Sequence, residues 1–125
     1  MVHQKETERT IGAMMKVHRD IGPGLDESIY QNACEEEFTK QGIQHEPQAS
    51  RWIMHRDQRV KERIPDFLIE DKFILDLKAI FGEFPKPAYA QVLCYCKLLQ
   101  VRLGMLVNFG NQSATTTAKI TSARF

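Results

Sequence analysis

Phe73-Ile74-Leu75-Asp76-Leu77-Lys78-Ala79-Ile80 reads as a buried strand with a carboxylate and an ammonium set into it. Successive side chains of an extended backbone point to opposite faces. Phe73, Leu75, Leu77 and Ala79 therefore make one wholly apolar face, and Ile74, Asp76, Lys78 and Ile80 make the other. Charge rarely enters such a surface without a partner, because burying it unpaired is expensive. Ile64-Pro65-Asp66 brings a second acid into similar company: Pro65, Phe67 and Ile69 share one face, and Ile64, Asp66 and Leu68 the other. Paired as a hairpin, the two strands would turn Asp66 and Asp76 toward one cleft. An Asp-x-Lys on a strand is more often a surface pair, but Ile74 and Ile80 on either side point instead to a site. Two acids, the Leu77 carbonyl and a nearby lysine suit a hard divalent cation and a phosphate.

Working outward, Glu70-Asp71-Lys72 is a tight turn joining strand Arg63–Glu70 to strand Phe73–Ile80. Upstream, Ile11, Met14, Met15, Val17 and Ile21 follow helical spacing over Thr7–Asp20, and Gly22-Pro23-Gly24 stops that helix. Asp26 is placed to cap a second helix that runs to Gly42, with Ile29, Ala33 and Phe38 inward. Strands Ile43–Gln48 and Arg51–Arg56 follow, with Asp57-Gln58 as a turn. Pro85 and Pro87 open a helix to about Gln100. Leu103–Phe109 has the continuous apolar character of a strand covered on both faces, and a weaker strand lies near Ala118–Ala123. Asn111–Thr117 reads as a loose connection. The order α-α-β-β-β-β-α-β-β predicts an α/β (α+β) sandwich, a mixed central β-sheet flanked by helices.

The chain has 125 residues, enough for one domain over 1–125 and too few for two. Its net charge of +1 announces no nucleic-acid binder, but the charge is unevenly placed. Arg51, Arg56, Arg59, Lys61 and Arg63 stand against only Asp57 and Glu62, whereas Glu35, Glu36 and Glu37 form an acidic run. Each run alone reads as a solvated face. Three cysteines make no disulfide framework, and Cys94 and Cys96 point to opposite sides of a helix. No segment is apolar enough to span a bilayer and the first residues lack a signal-peptide pattern, so a cytoplasmic setting is expected.

Other chemistries find little support. His3, His18, His45 and His55 lack metal-ligand spacing, Gly22-Pro23-Gly24 lacks the residues of a phosphate loop, and Ser28, Ser50 and Ser113 lack a nucleophile's context. Trp52 and Tyr89 are candidates for stacking on bases, although a lone aromatic in a strand is usually core or interface. Glu27, in the first turn of the second helix, is read alone as an acid favoured by the macrodipole. Gly24 and Tyr30 share its face. Gln91 and Tyr95 share a face of the later helix, usually a polar boundary.

Taken together, Glu27, Pro65-Asp66, Asp76-Leu77-Lys78 and Gln91 resemble the PD-(D/E)xK nuclease superfamily: an early helix acid, an Asp after Pro, an acid-x-Lys on the next strand and a Gln on the following helix. Gln91-Val92-Leu93-Cys94-Tyr95 is similar to the Gln-x-x-x-Tyr element of its RecB-like exonuclease branch. Over nearly the whole chain the sequence also resembles the small GxxExxY proteins. Gly24 to Tyr30 carries their signature, with His18 to Gly24, the Asp76-Leu77-Lys78-Ala79 strand, Ala90-Gln91 and Asn108-Phe109-Gly110 in support. Asp76 stands where that group more commonly has Glu, and the superfamily pattern admits either acid. The resemblance implies a restriction-endonuclease-like core and Mg²⁺ or Mn²⁺ held by Asp66 and Asp76, with Glu27 helping directly or through water. It implies catalytic roles for Glu27, Asp66, Asp76, Lys78 and Gln91 in hydrolysing phosphodiester bonds, DNA being favoured. Arg51, Arg56, Arg59, Lys61 and Arg63, with Tyr30 and Tyr95, are weaker candidates to contact nucleic acid. The alternative is a non-catalytic nucleic-acid-binding or protein-interaction module. With so little net charge, a homodimer or protein partner would help either to hold substrate.

Overall fold

Helix α1, Gln4–Ile21, packs on helix α2, Glu27–Gln41, before the chain enters strands β1, His45–Pro47, β2, Arg51–His55, β3, Gln58–Arg63, β4, Phe67–Ile69, and β5, Phe73–Lys78. Helix α3, Lys86–Leu99, then leads to β6, Leu103–Asn108, and β7, Thr115–Ile120. The computed structural model describes residues 3–111 and the backbone of 115–120. The strand expected near Ala118–Ala123 starts earlier, at Thr115, within the stretch Asn111–Thr117 expected as a loose connection, and its expected far end lies outside those residues. The α/β character and the mixed central sheet agree with expectation, with one strand more than the sequence suggested.

That extra strand has a physical cause. Arg63–Glu70 does not run as one strand, because β3 ends at Arg63 and β4 begins only at Phe67. Pro65 has no N–H to contribute to a ladder. Gln58–Arg63 instead folds back on β2 through a two-residue turn at Arg56-Asp57, both with positive φ (49° and 64°). Such a turn matches the twist of a hairpin. It lies one residue earlier than the expected Asp57-Gln58.

The central sheet has order β1-β4-β5-β6-β7, with β5 and β6 parallel and the other pairs antiparallel. Parallel neighbours need a crossover, and α3 provides it. The parity read from β5 holds in three dimensions. Phe73, Leu75 and Leu77 enter a core with Met14, Val17, Tyr30 and Phe38 of α1 and α2. Ile74, with Leu68 and Leu106, packs on Val92 and Cys96 of α3. Burial of each such large side chain contributes about 1.5–3 kcal/mol, so both helical layers are strongly held to the sheet. Gly104 permits the close approach of α3: a Cβ there would lie 2.4 Å from Val92 Cγ1 and 2.8 Å from Cys96 Sγ.

Some inward assignments shift. Ile29 is 40% exposed, because its neighbour Tyr30 takes the inner position and is fully buried with Cys34 and Phe38 at four-residue spacing. Ile21 is also exposed, while Thr7 and Thr10 are buried in α1 and donate their hydroxyls to the His3 and Glu6 carbonyls. Asp26 occupies the N-cap of α2 but its side chain makes no capping hydrogen bond. Tyr89 is half-buried and packs edge-on against Phe84, with ring centroids 5.8 Å apart.

Candidate active site

The register of β4 and β5 pairs Phe67 with Leu75 and Leu68 with Ile74. Carried one residue further, it sets Asp66 opposite Asp76 on the face of Leu68 and Ile74, where cross-strand side chains are neighbours. Pro65 falls opposite Leu77 and has no N–H to offer the Leu77 carbonyl. The Leu77 N–H donates to the Asp66 carboxylate at 2.6 Å. Gln31 of α2 donates to the Asp66 carbonyl at 2.9 Å, fixing this end of the strand to the helical layer. Asp76 is only 4% exposed, and its carboxylate accepts from Lys78 Nζ at 3.3 Å. The lysine is itself largely covered, so this is not an ordinary surface pair.

Two carboxyls this close cannot both ionise cheaply. Burial, then the charge of Asp76 and the hydrogen bond between the two carboxyls, pushes Asp66 up to about 8, against an opposing pull from the Leu77 N–H. Glu27, at the start of α2, joins the same electrostatic group: desolvation raises its carboxyl, Lys78 lowers it and Asp76 raises it. Tyr95 of α3 is 5% exposed. Burial and the charges of Asp76 and Asp66 push its hydroxyl up to about 12, so it stays a proton donor beside the acids. A cleft of about 400 Å³ opens beside Asp66, lined by Glu27, Ser28, Gln31, Asn32 and Gln48 among others.

A divalent cation fits this donor set. Among the described residues no three His, Cys, Asp or Glu side chains converge as a cluster. The oxygen donors that lie together here are the Asp66 and Asp76 carboxyls, beside the Leu77 backbone. Few protein ligands, with water and phosphate completing the shell, is the habit of Mg²⁺.

The raised Asp66 pKa has a measurable consequence without metal. Between its ordinary value of 3.8 and about 8, the folded chain holds a proton that the unfolded chain has released. The native state then binds more protons, so unfolding free energy falls as pH rises through that window. The Tm of the metal-free protein is expected to drop by roughly 5 °C or more from pH 5 to pH 8 through this group. Asp66→Asn should flatten the drop, measured by thermal melts in EDTA. An equally steep drop in the variant would assign it elsewhere.

Beyond Lys78 the chain turns through Ala79 to Phe84, and Asn108 at the end of β6 holds that turn. Its Nδ2 donates to the Ile80 and Gly82 carbonyls (2.9 and 3.2 Å), and its Oδ1 accepts from the Ile80 and Gly110 N–H groups (3.0 and 2.9 Å). Gly110 lies against the same turn: a Cβ there would meet the Ile80 carbonyl oxygen at 2.1 Å. His18, buried in α1, donates Nε2–H to the Asn111 carbonyl at 2.9 Å, which makes it part of this support.

The structure thus gathers Asp66, Asp76 and Lys78, with Glu27 and Tyr95 around them. Gln91, one turn before Tyr95, is exposed and its side chain makes no protein hydrogen bond among the described residues. Tyr30 is corrected outright as a nucleic-acid contact: its ring is fully buried, stacked on Phe109 at 4.7 Å, with its hydroxyl bonded to the Gly22 carbonyl. Tyr95 is also too buried to meet a nucleic acid from outside and instead walls the acidic site. Arg51 and Arg63 pair across the base of the β2–β3 hairpin, whereas Arg56, Arg59 and Lys61 lie toward its tip. Gln31 and the clasp made by Asn108 were not anticipated; an Asn closing an apolar strand was the one visible sign of the latter.

The sequence profile of the PD-(D/E)XK nuclease superfamily matches residues 4–120. The chain belongs to that superfamily. Its members share a nuclease-like fold, and the two N-terminal helices, mixed sheet and crossover helix found here fit it. Among solved structures, the crystal structure of SSO0001 matches with a TM-score of 0.62 at 15% sequence identity, over 78% of this chain and 50% of that one. The present chain thus spans about half of that protein's length, and the likeness is one of fold. No curated protein matches the sequence. Among the described residues of this PD-(D/E)XK superfamily member, no helix is long and apolar enough to cross a membrane.

Proposed function

We propose that the protein is a metal-dependent nuclease of the GxxExxY type that hydrolyses phosphodiester bonds in nucleic acid, DNA being favoured. The observation that carries this reading is the Asp66–Asp76 pair with Lys78 3.3 Å from Asp76, at the end of two paired strands. Mg²⁺ or Mn²⁺, held by Asp66, Asp76 and the Leu77 carbonyl, would supply an acidified water and neutralise charge on the phosphate. The Leu77 N–H holds the Asp66 carboxyl and Gln31 holds its backbone carbonyl, so the residue is positioned before a cation displaces its proton. The Lys78 ammonium is placed to hydrogen-bond the attacking water or a phosphate oxygen. Glu27 would accept a proton through water, and the buried Tyr95 closes the site on the α3 side. Gln91, being solvent-exposed, suits a contact with the phosphate backbone better than one with the reacting atoms. Arg51 and Arg63 at the root of the hairpin, with Arg56, Arg59 and Lys61 beyond, give the backbone a cationic track whose contribution falls as salt rises.

The purified protein, incubated with single- and double-stranded DNA and RNA, is expected to cut DNA with Mn²⁺ and to be silent in EDTA. The reading fails if no nucleic acid is cut under any divalent cation. It fails equally if cleavage persists in EDTA. Binding without cleavage would favour the non-catalytic module.

A further inference from the structure

The β2–β3 hairpin stands apart from the central sheet as its own two-stranded sheet. Its inner residues Arg51, Ile53 and Arg63 are half-buried, and β2 touches α3. Its outer face is different. Trp52 pairs across from Glu62 and Met54 from Arg59, so these four side chains share one face. Trp52 is 41% exposed and Met54 54% exposed, and the Arg59 guanidinium lies 5.3 Å from the centre of the indole ring. A β-bulge between Ile53 and Met54 leaves Val60, 61% exposed, as the extra residue on the facing strand. Exposed apolar side chains gathered between charged ones mark a surface suited to a ligand. The hairpin as a whole selects one, for it carries five cations against two acids. Arg51 is paired with Glu46 at 3.4 Å and Glu62 shares the outer face with Arg59, yet the surplus of charge suits a polyanion with apolar rings.

From the exposed indole, the guanidinium over it and the surrounding cations, we infer that the outer face of the hairpin is a stacking platform for unpaired bases of a single-stranded nucleic acid. A base on Trp52 would have the Arg59 charge beside it, combining stacking with cation–π attraction. Paired bases in a duplex offer no free face to a side chain of this kind, so the platform discriminates strand state without reading sequence. Glu62, the partner of Trp52, precedes Asp66 by four residues, which span at most about 14 Å. A strand held on the platform is therefore delivered to the acidic site. The direction of delivery rests on the nuclease reading; the platform itself does not.

Trp52 is the chain's single tryptophan, so its emission reports on the platform alone. In EDTA, where cleavage is suppressed, an oligothymidylate of about 20 nucleotides is expected to quench that emission and to bind about tenfold more tightly than a blunt duplex of equal length. Trp52→Ala should weaken single-strand binding about tenfold by fluorescence anisotropy, with the salt slope unchanged, because no cation has been removed. Trp52→Phe should recover most of the loss, which a purely structural role for the indole would not predict. The inference is overturned by binding without quenching, by equal affinity for duplex and single strand, by a Phe variant as weak as the Ala variant, or by a protein ligand occupying the face while nucleic acid does not. Quenching in a protein that never cuts would sink the nuclease reading and leave the platform standing. Metal-dependent cutting without quenching would do the reverse.

Discussion

Lys78→Ala and Asp66→Ala are each expected to lower divalent-dependent cleavage by about 10²–10⁴-fold while the chain remains folded. The two losses have different physical origins. Asp66→Ala removes a ligand and also relieves a buried carboxyl that Asp76 disfavours, so the metal-free variant should melt no lower at pH 8 than the parent. Lys78→Ala does the opposite: it leaves the buried Asp76 carboxylate without its ammonium partner. A loss of about 1–3 kcal/mol follows in the absence of metal, less than for a fully buried pair because Lys78 is partly open to water. Mn²⁺ should then stabilise the lysine variant more than the parent and the Asp66 variant least, since only ligand bound to the native state raises Tm. Single-turnover cleavage and thermal melts with and without Mn²⁺ measure both halves. Cleavage that survives both substitutions would remove this site from the chemistry.

Gly110→Ala should cost about 3 kcal/mol or more of stability, a fall in Tm on the order of 10 °C. The added Cβ would meet the carbonyl oxygen, carbonyl carbon and nitrogen of Ile80 at 2.1, 2.5 and 2.6 Å, and backbone cannot swing aside as a flexible side chain can. Whatever moves must disturb the Asn108 clasp, which holds both the Ile80 N–H and its carbonyl. Because Phe109 donates its N–H to the Lys78 carbonyl at 2.8 Å, the displacement should reach the lysine. Activity is therefore expected to fall further than the folded fraction does. Gly12→Ala is the control. That glycine lies within α1 with nothing within 4 Å of an added Cβ, and the change should stabilise by up to about 1 kcal/mol. Equal melting temperatures for the two variants would contradict the packing at Ile80.

The contrast between these glycines shows where sequence alone informs. The parity of Phe73 to Lys78 told which residues face which layer, because a period of two leaves no other arrangement once one face is apolar. The strand stops at Lys78, two residues short of the expected Ile80, where the chain turns. Asp66 and Asp76 could be set on one side by the same counting. Strand β3 was hidden, because Gln58–Glu62 is exposed on both faces and so lacks the alternation that betrays a strand. Gln31 was equally silent: nothing in a helical glutamine announces that it bonds a carbonyl thirty-five residues away. Ile29 misled because an aromatic neighbour one position on claimed the interior. Long-range hydrogen bonds and close backbone contacts, as at Asn108 and Gly110, depend on which segments meet, and local pattern does not encode that.

The separation of the β2–β3 hairpin from the main sheet also bears on how such a molecule can change over generations. Its ladder is closed on itself, so residues on its outer face can be replaced without breaking a hydrogen bond of the sheet that carries Asp66, Asp76 and Lys78. The platform inferred on the hairpin and the acidic site thus sit on two separate ladders, joined in the chain by Gln48-Ala49-Ser50 and by Ile64-Pro65, with β2 resting on α3. One can drift, lengthen or be exchanged while the other is conserved under its own constraints.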